Sequence, residues 1–459
     1  MNARKIEMTD TKTLKNKKVL VVGMAKTGFS VANFLIKEGA VVTATDIKDT
    51  ALIDGLDALK DKGVCIEAGG HRLDSFLDSE LIVISPGVPI NTPEIRQAID
   101  AGVEVVGDIE LASLYMTEPI VAVVGTNGKS TVTELLGEVF KRAGKRVFVG
   151  GNIGIPVTDR LASNIDYEVS VLEVSSFHLE AVKGFSPHIA ILLNVTEDHL
   201  DRYRDFAEYR DTKFRVFQNQ GAEDIAIVNA ADTVITEDLG ELSGKLVPFS
   251  TEDELTNGLY LKDGEIVYNA AAEDKEERYS LREVRLKGVH NIENIMAVIA
   301  AARAMGVSQE VIKTVLKNYK GLLHRMELIK EVSGVLYIND SKATNTGAVK
   351  MALKGMKEPV ILIIGGRDKQ GNFQALKDVV REKVKLVIAI GEAGEMIAGI
   401  FKDDVECIYS KELKDAIHLA RDRASRGDAV LLSPGCSSFD AFSSFEERGE
   451  CFRKTVETL

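Results

Sequence analysis

Continuous apolar runs, each too short to span a membrane, alternate along this chain with stretches of helical periodicity. Such runs read as strands buried on both faces, and their alternation with helices predicts α/β layers built on parallel sheets. The first unit opens with Lys18-Val19-Leu20-Val21-Val22, then the turn Gly23-Met24-Ala25-Lys26-Thr27-Gly28 and a helix over about 29–38. A second strand over 40–45 ends at Asp46, and another over 81–85 ends at Pro86-Gly87. This β-α-β start is Rossmann-like. A helical pattern stops at a proline within 116–119, which sets the first boundary.

The second unit begins with the apolar run Ile120-Val121-Ala122-Val123-Val124. Further strands are predicted over 169–172 and 189–193. Between about 247 and 287 the character changes. Residues 259–268 read as a hairpin turning at Asp263-Gly264, and Glu273-Asp274-Lys275-Glu276-Glu277 as a solvated loop. A helix follows over about 291–305. The third unit starts near 321–324, with strands over 335–338, 360–364, 386–390 and 429–432. Each leads into a loop rich in Gly, Asp, Ser or Lys, where ligands of open α/β sheets sit. There is no internal repeat or low-complexity tract.

Composition narrows the function classes. A length of 459 residues suggests two to four domains. The net charge of −13 disfavours nucleic acid or an anionic membrane as partner. Cys65, Cys407, Cys436 and Cys451 are too sparse for a disulfide framework, so a reducing compartment is expected. The first eighteen residues are polar and charged, without an apolar stretch of signal-peptide length. A cytoplasmic protein is the expectation.

The most telling stretch is Gly125-Thr126-Asn127-Gly128-Lys129-Ser130-Thr131, between a predicted strand and a helical pattern over 132–143. A glycine turn at a helix N-terminus gathers backbone N–H groups around one point. A lysine and a hydroxyl added there meet the needs of a nucleotide's terminal phosphates and their magnesium. The spacing is Gly-x-x-Gly-Lys-Ser, shorter than the common phosphate loop. The bland alternative is a glycine turn with an exposed lysine.

Other residues are weighed in the same way. Glu173 ends a predicted strand next to Ser175-Ser176, where an acidic residue opposite a phosphate loop holds magnesium. A solvated glutamate is the alternative. The run Asn194-Val195-Thr196-Glu197-Asp198-His199-Leu200-Asp201-Arg202-Tyr203 crowds polar groups at a strand end, which suits a cleft. His199 there reads equally as a metal or substrate contact or as a structural histidine. Lys213, by periodicity alone, is a surface lysine. Asn291 and Asn294 fall on one helix face, and an N-cap at Asn291 is the simpler reading. Gly23 to Gly28 with Asp46 resembles a dinucleotide fingerprint, but Ala25 stands at its middle glycine position, which favours a diphosphate-sugar compound over NAD. Asn339 to Asn345, Gly365 to Lys369 and Ser433 to Asp440 gather lysines, hydroxyls and glycine amides suited to an anionic substrate. Cys436 reads as a packing residue, not a nucleophile.

Together these segments resemble the Mur ligase family. The resemblance is carried in order by Gly125 to Thr131, Leu172-Glu173-Val174-Ser175-Ser176-Phe177 and Asn194 to Tyr203. It continues through His290-Asn291 to Asn294, His324-Arg325, Asn339-Asp340-Ser341-Lys342-Ala343-Thr344-Asn345 and Ser433-Pro434 to Gly449. It implies an α/β protein of three domains: a Rossmann-like N-terminal domain at 1–116, a central P-loop ATPase-like domain at 117–321 and a Rossmann-like C-terminal domain at 322–459. The implied activity is ATP-dependent addition of D-glutamate to UDP-N-acetylmuramoyl-L-alanine through an acyl phosphate, by a monomer. ATP would meet Gly125, Thr126, Asn127, Gly128, Lys129, Ser130, Thr131, Asn291, His324, Arg325 and Asp340. Ser130 and Glu173 would hold one Mg²⁺. His199 and Lys213, the latter carbamylated, would hold a second, so that Lys129, Glu173, His199 and Lys213 form the catalytic set. Lys26, Thr27, Asp46, Gly87, Asn152 and His199 would bind the UDP substrate, and Lys342, Thr344, Lys369, Ser438, Phe439 and Phe445 the D-glutamate. His178 receives no role. A folate polyglutamate ligase shares the central machinery but not a UDP-binding first domain. A non-catalytic binding protein leaves the four catalytic residues unexplained, and an NAD dehydrogenase leaves the phosphate loop unexplained.

Overall fold

The computed structural model describes residues 13–459 apart from 54, 164, 200, 201, 270–275, 287, 320, 322, 369 and 370. Its contacts divide the chain once, between Tyr319 and Lys320. Two sheets lie in the first unit and one in the second.

The first sheet holds β1 (Lys18–Val22), β2 (Val41–Asp46), β3 (Cys65–Ala68), β4 (Leu81–Ile84) and β5 (Glu104–Gly107). All are parallel, in the order β3-β2-β1-β4-β5. The turn after β1 leads into the helix Lys26–Lys37. A Cβ on Gly28 would lie 1.8 Å from the Gly23 carbonyl oxygen, so only glycine lets this helix start so close to the strand.

The second sheet holds β6 (Ile120–Val124), β7 (Val147–Gly151), β8 (Val169–Glu173), β9 (Ile189–Leu192), β10 (Ile225–Asn229), β11 (Lys245–Ser250), β12 (Gly258–Lys262), β13 (Glu265–Asn269) and β14 (Glu276–Ser280). Their order is β14-β13-β12-β11-β10-β9-β6-β8-β7. Strands β6 to β12 pair in parallel, and β12, β13 and β14 form an antiparallel meander at one edge. The apolar run of β6 has the expected cause. Val121 and Val123 enter a core beneath the helices Lys129–Arg142 and Val289–Ala304, while Ile120, Ala122 and Val124 enter the core on the opposite face. The predicted hairpin forms, with Lys262 opposite Glu265 across Asp263-Gly264.

The acidic run departs from its reading as a loop. Glu273, Asp274 and Lys275 lie outside the described residues, but Glu276 and Glu277 belong to β14. Glu277 pairs with Arg303 at 2.8 Å and accepts the Tyr279 hydroxyl at 2.7 Å, so a tertiary cation draws it into the sheet.

The third sheet holds β15 (Glu327–Val332), β16 (Val335–Asn339), β17 (Val360–Gly365), β18 (Val384–Ile390), β19 (Glu406–Ser410) and β20 (Ala429–Leu432). The order is β15-β16-β20-β17-β18-β19, with only β15 antiparallel to its neighbour. Among the described residues no helix is long and apolar enough to cross a membrane.

Candidate active site

The glycine turn joins β6 to the helix Lys129–Arg142. Gly125 and Gly128 take φ of 151° and 86°, in the region that favours glycine. The turn is braced from the end of β9: Asn127 N donates to Asn194 Oδ1 at 2.8 Å, and Asn194 Nδ2 donates to the Asn127 carbonyl at 3.2 Å. Thr126 Oγ1 donates to the Thr196 carbonyl and meets the Tyr209 hydroxyl, both at 3.1 Å. Lys129 Nζ donates to the carbonyls of Gly125 and Thr126, at 2.8 and 2.9 Å. Ser130 and Thr131 open the helix, both buried.

Lys213 corrects the reading of a surface lysine. It sits on the helix Phe206–Phe214, is 2% exposed, and donates Nζ to the Gly125 carbonyl at 3.0 Å. Two lysine Nζ atoms therefore share one carbonyl oxygen. Nζ also lies 4.5 Å from the centre of the Tyr209 ring. Burial, with the nearby charge of Lys129, holds the Lys213 amine well below its ordinary pKa.

Glu173 ends β8, whose register sets it beside Val123 of β6. It is 2% exposed; Oε1 accepts Asn152 Nδ2 at 2.9 Å, while Oε2 is buried without a hydrogen-bond partner. Asn152 N also donates to the Glu173 carbonyl at 2.8 Å. His199 is exposed, has φ of 54°, and its ring lies 4.7 Å from Phe177 and 6.4 Å from Tyr209. Tyr209 thus neighbours both His199 and Lys213. His178, left without a role, is buried and completes a capping box with Ser175.

Among the described residues no three His, Cys, Asp or Glu side chains cluster as ligands of a dedicated metal cage. Mg²⁺ is held by one or two carboxylates together with waters and substrate phosphates. The orphaned, buried Glu173 oxygen is the feature of this set that fits it.

Asn291 is not an N-cap. The helix Val289–Ala304 is capped at Gly288, which leaves Asn291 in the first turn. Asn294 Nδ2 donates to Asn291 Oδ1 at 3.5 Å. A Cβ on Gly128 would lie 2.3 Å from Asn294 Oδ1, so the bare glycine backbone admits the Asn294 amide against the turn.

In the first sheet Asp46 braces its own glycine turn. Oδ2 accepts Met24 N at 2.6 Å and Oδ1 accepts Lys48 N at 2.9 Å. Lys26, at the start of the helix, donates Nζ to the Gly154 carbonyl at 2.5 Å, beside Asn152 in the chain. Thr27 follows Lys26 in that helix, and Gly87 lies exposed in the turn after β4.

The second unit gathers its own polar cluster at the ends of β16 and β20. His324 takes φ of 61°; its Nδ1 meets Asn339 Nδ2 at 2.9 Å, and its carbonyl accepts Lys342 N at 3.0 Å. Burial lowers the His324 pKa. Arg325 follows it, half-buried. Asp340 accepts Ser433 Oγ at 2.8 Å and Met326 N at 3.2 Å. Burial still pushes its carboxyl up to about 7 against these hydrogen bonds. Lys342 Nζ lies 5.6 Å from the centre of the Phe445 ring. Ser438 is buried, Thr344 half-buried and Phe439 59% exposed. Lys369 lies outside the described residues. Cys436 is fully buried in an apolar cluster and burial pushes its thiol up to about 12, as a packing residue requires.

Sequence reasoning missed Arg448. It is 1% exposed and uses all its donors on neutral oxygens: the Ser341 hydroxyl and carbonyl at 3.0 and 2.9 Å, and the carbonyls of Cys436 and Ser437 at 3.2 Å. The chain Glu446-Glu447-Arg448 reads as an exposed helix face, so no local signal marks it. A cavity of about 690 Å³ lies nearby, lined by Gly366, Gly391, Tyr409, Lys411, Asp440 and Arg448 among others. None of the described amino-acid-site candidates lines it.

Comparison with known proteins covers the same ground. The chain matches the Mur ligase MurD-like N-terminal domain over residues 17–107, the Mur ligase middle domain over 123–302, and the Mur ligase glutamate ligase domain over 324–436. It is 44% identical over 447 residues to the UDP-N-acetylmuramoylalanine–D-glutamate ligase of Geotalea uraniireducens, covering 97% of this chain and 98% of that one. The protein of the same name from Trichlorobacter lovleyi is 43% identical, with coverage of 97% and 100%. Among solved structures, the UDP-N-acetylmuramate-alanine ligase MurC of Thermotoga maritima superposes with a TM-score of 0.58 at 21% identity, covering 96% of this chain and all of that one. The MurF ligase of Thermotoga maritima in complex with ADP gives 0.59 at 17%, with coverage of 97% and 96%.

Proposed function

The chain belongs to the Mur ligase family, and we propose that it joins D-glutamate to UDP-N-acetylmuramoyl-L-alanine, with ATP cleaved to ADP and phosphate, in peptidoglycan precursor synthesis. The observation that carries the chemistry is the meeting of Lys129 and Lys213 on the Gly125 carbonyl, one strand from the orphaned oxygen of Glu173.

The reaction follows from the charges involved. The substrate's alanyl carboxylate attacks the γ-phosphorus of ATP, ADP leaves, and an acyl phosphate forms. The amine of D-glutamate then attacks the acyl carbon, phosphate leaves, and the amine loses a proton as the amide forms. The first step brings a carboxylate against a triphosphate, so cationic stabilisation is the main requirement. Lys129 and the loop's N–H groups hold the β- and γ-phosphates. Ser130 and Glu173 would hold one Mg²⁺, and His199 with a carbamylated Lys213 a second; the ions supply charge neutralisation at the transferring phosphoryl group. The depressed pKa of Lys213 supports carbamylation, because only a neutral amine attacks carbon dioxide, losing a proton as the carbamate forms.

Asn291, His324, Arg325 and Asp340 take the adenosine in this reading. Lys26, Thr27, Asp46 and Gly87 take the UDP group, and Asn152 and His199 the muramoyl end. Lys342, Thr344, Lys369, Ser438, Phe439 and Phe445 bind D-glutamate. The domains run 1–116, 117–321 and 322–459. We read the protein as a cytoplasmic monomer without nucleic-acid or membrane partners; the net charge of −13 supports the exclusion of polyanions.

The test is phosphate release from MgATP. It should require both UDP-N-acetylmuramoyl-L-alanine and D-glutamate, and fail with L-lysine or meso-diaminopimelate in place of D-glutamate. Release without either co-substrate, or none with both, rejects the ligase.

A further inference from the structure

Arg202 belongs to the polar run at the end of β9, yet the reaction above gives it nothing to do. Its guanidinium grips two separate elements. Nε and Nη2 donate to the two carboxylate oxygens of Glu180, at 2.9 and 2.7 Å. On its other edge Nη1 donates to the Gly87 carbonyl at 3.2 Å and Nη2 to the Val88 carbonyl at 3.1 Å. These carbonyls belong to the turn after β4 that carries a UDP-substrate candidate. The guanidinium also stacks 4.2 Å from the centre of the Phe177 ring, the ring that meets His199 at 4.7 Å. Arg202 N donates to the His199 carbonyl at 2.9 Å. His199 holds a left-handed backbone that a non-glycine residue adopts only when its surroundings over-determine it.

We infer that Arg202 is a positioning residue that fixes His199 in register with the turn at Gly87-Val88, so that the UDP end and the reacting end of one substrate are located by a single rigid part. The inference rests on the ligase reading. Both side chains of the Arg202–Glu180 pair are nearly buried, at 12% and 11% exposed, which keeps the bidentate geometry from water. A lysine carries the charge but presents a compact ammonium, which cannot span a carboxylate, two carbonyls and a ring face together.

The experiment uses the full chain with Arg202→Lys and Arg202→Ala. It measures kcat, the KM of each of the three substrates, ATP affinity in isolation and the melting temperature. For Arg202→Lys the expected result is a fall in kcat of about 10- to 100-fold with a several-fold rise in KM for the UDP substrate. ATP affinity should stay within about twofold, because the partners of the Arg202 guanidinium are Glu180, Gly87, Val88 and Phe177. Phe177→Leu added to Arg202→Lys should cost less than it does alone, because both act through His199. Unchanged kinetics, or losses spread equally over all three substrates with a lowered melting temperature, overturn the inference. An inactive wild-type protein removes the ligase reading and this inference with it; an active wild type with an indifferent Arg202→Lys removes this inference alone.

Discussion

Lys213 and Arg448 are basic side chains sealed inside the protein, 2% and 1% exposed, and both hydrogen-bond to neutral oxygens. They meet the same desolvation cost in opposite ways. Lys213 has one carbonyl, a ring face and the repulsion of Lys129, so its amine is pushed toward the neutral form. Arg448 saturates its donors on Ser341, Cys436 and Ser437, and its pKa falls only to about 10, which leaves it charged at neutral pH. Burial lowers the pKa of the ammonium strongly, while the guanidinium stays charged as a bracket between two loops. In the proposed reaction chemistry belongs to the first position, and the hydrogen bonds give architecture to the second.

Replacing each residue tests that contrast, and the largest effect belongs to the reactive one. Lys213→Arg keeps a cation of similar length but cannot form a carbamate. Activity should fall on the order of a thousandfold while the melting temperature changes little. Isotope-labelled bicarbonate should give a carbamate carbonyl signal in the wild type that the variant lacks. An active Lys213→Arg would erase the distinction between the two cations.

Arg448→Ala should act on stability. It leaves several buried carbonyls and a hydroxyl without donors, a loss of about 3 kcal/mol or more, read as an earlier urea transition of the C-terminal unit. D-glutamate KM should rise through displacement of the Ser341 and Ser437 segments, and ATP affinity should change less. A variant with wild-type stability would show that the bracket is dispensable.

Asp340 adds a third buried charge, of opposite sign, resolved as Lys213 is. Its carboxyl is raised from 3.8 to about 7, so the folded unit holds a proton that the unfolded chain has lost across that window. Stability from this group therefore falls as pH rises from about 4 to about 7 and is level on either side, with a slope of at most about 1.4 kcal/mol per pH unit. Asp340→Asn should flatten that slope in urea midpoints measured across the window. A wild-type profile without the slope contradicts the assignment. The smallest effect belongs to Cys436→Ala, about 1 kcal/mol, because Arg448 uses the Cys436 carbonyl and not its thiol; activity should remain. A large loss of turnover there would revive a nucleophilic cysteine.

What the sequence disclosed follows the same physics. Strands such as Ile120–Val124 and Val360–Gly365 are legible because burial on both faces demands an unbroken apolar run. The phosphate loop is legible because its glycines are required by φ above zero. Cys65–Ala68 and Lys245–Ser250 are not, being partly exposed strands with polar residues or a proline. Pro248 is accommodated because β12 pairs with β11 only from Phe249 onward. The burial of Lys213, Arg202 and Arg448 is not legible because periodicity marks apolar positions. The burial of a charged residue is set by distant carbonyls and rings that leave no local trace.

The proposed reaction requires that the substrate's carboxylate be phosphorylated before the amide forms. Its most direct test supplies UDP-N-acetylmuramoyl-L-alanine carrying heavy oxygen in the alanyl carboxylate, with MgATP and D-glutamate, and follows the label by mass spectrometry. One labelled oxygen per turnover should pass into the released phosphate, because the bridging oxygen of the acyl phosphate leaves with it. Amide product formed with no label in the phosphate would contradict it.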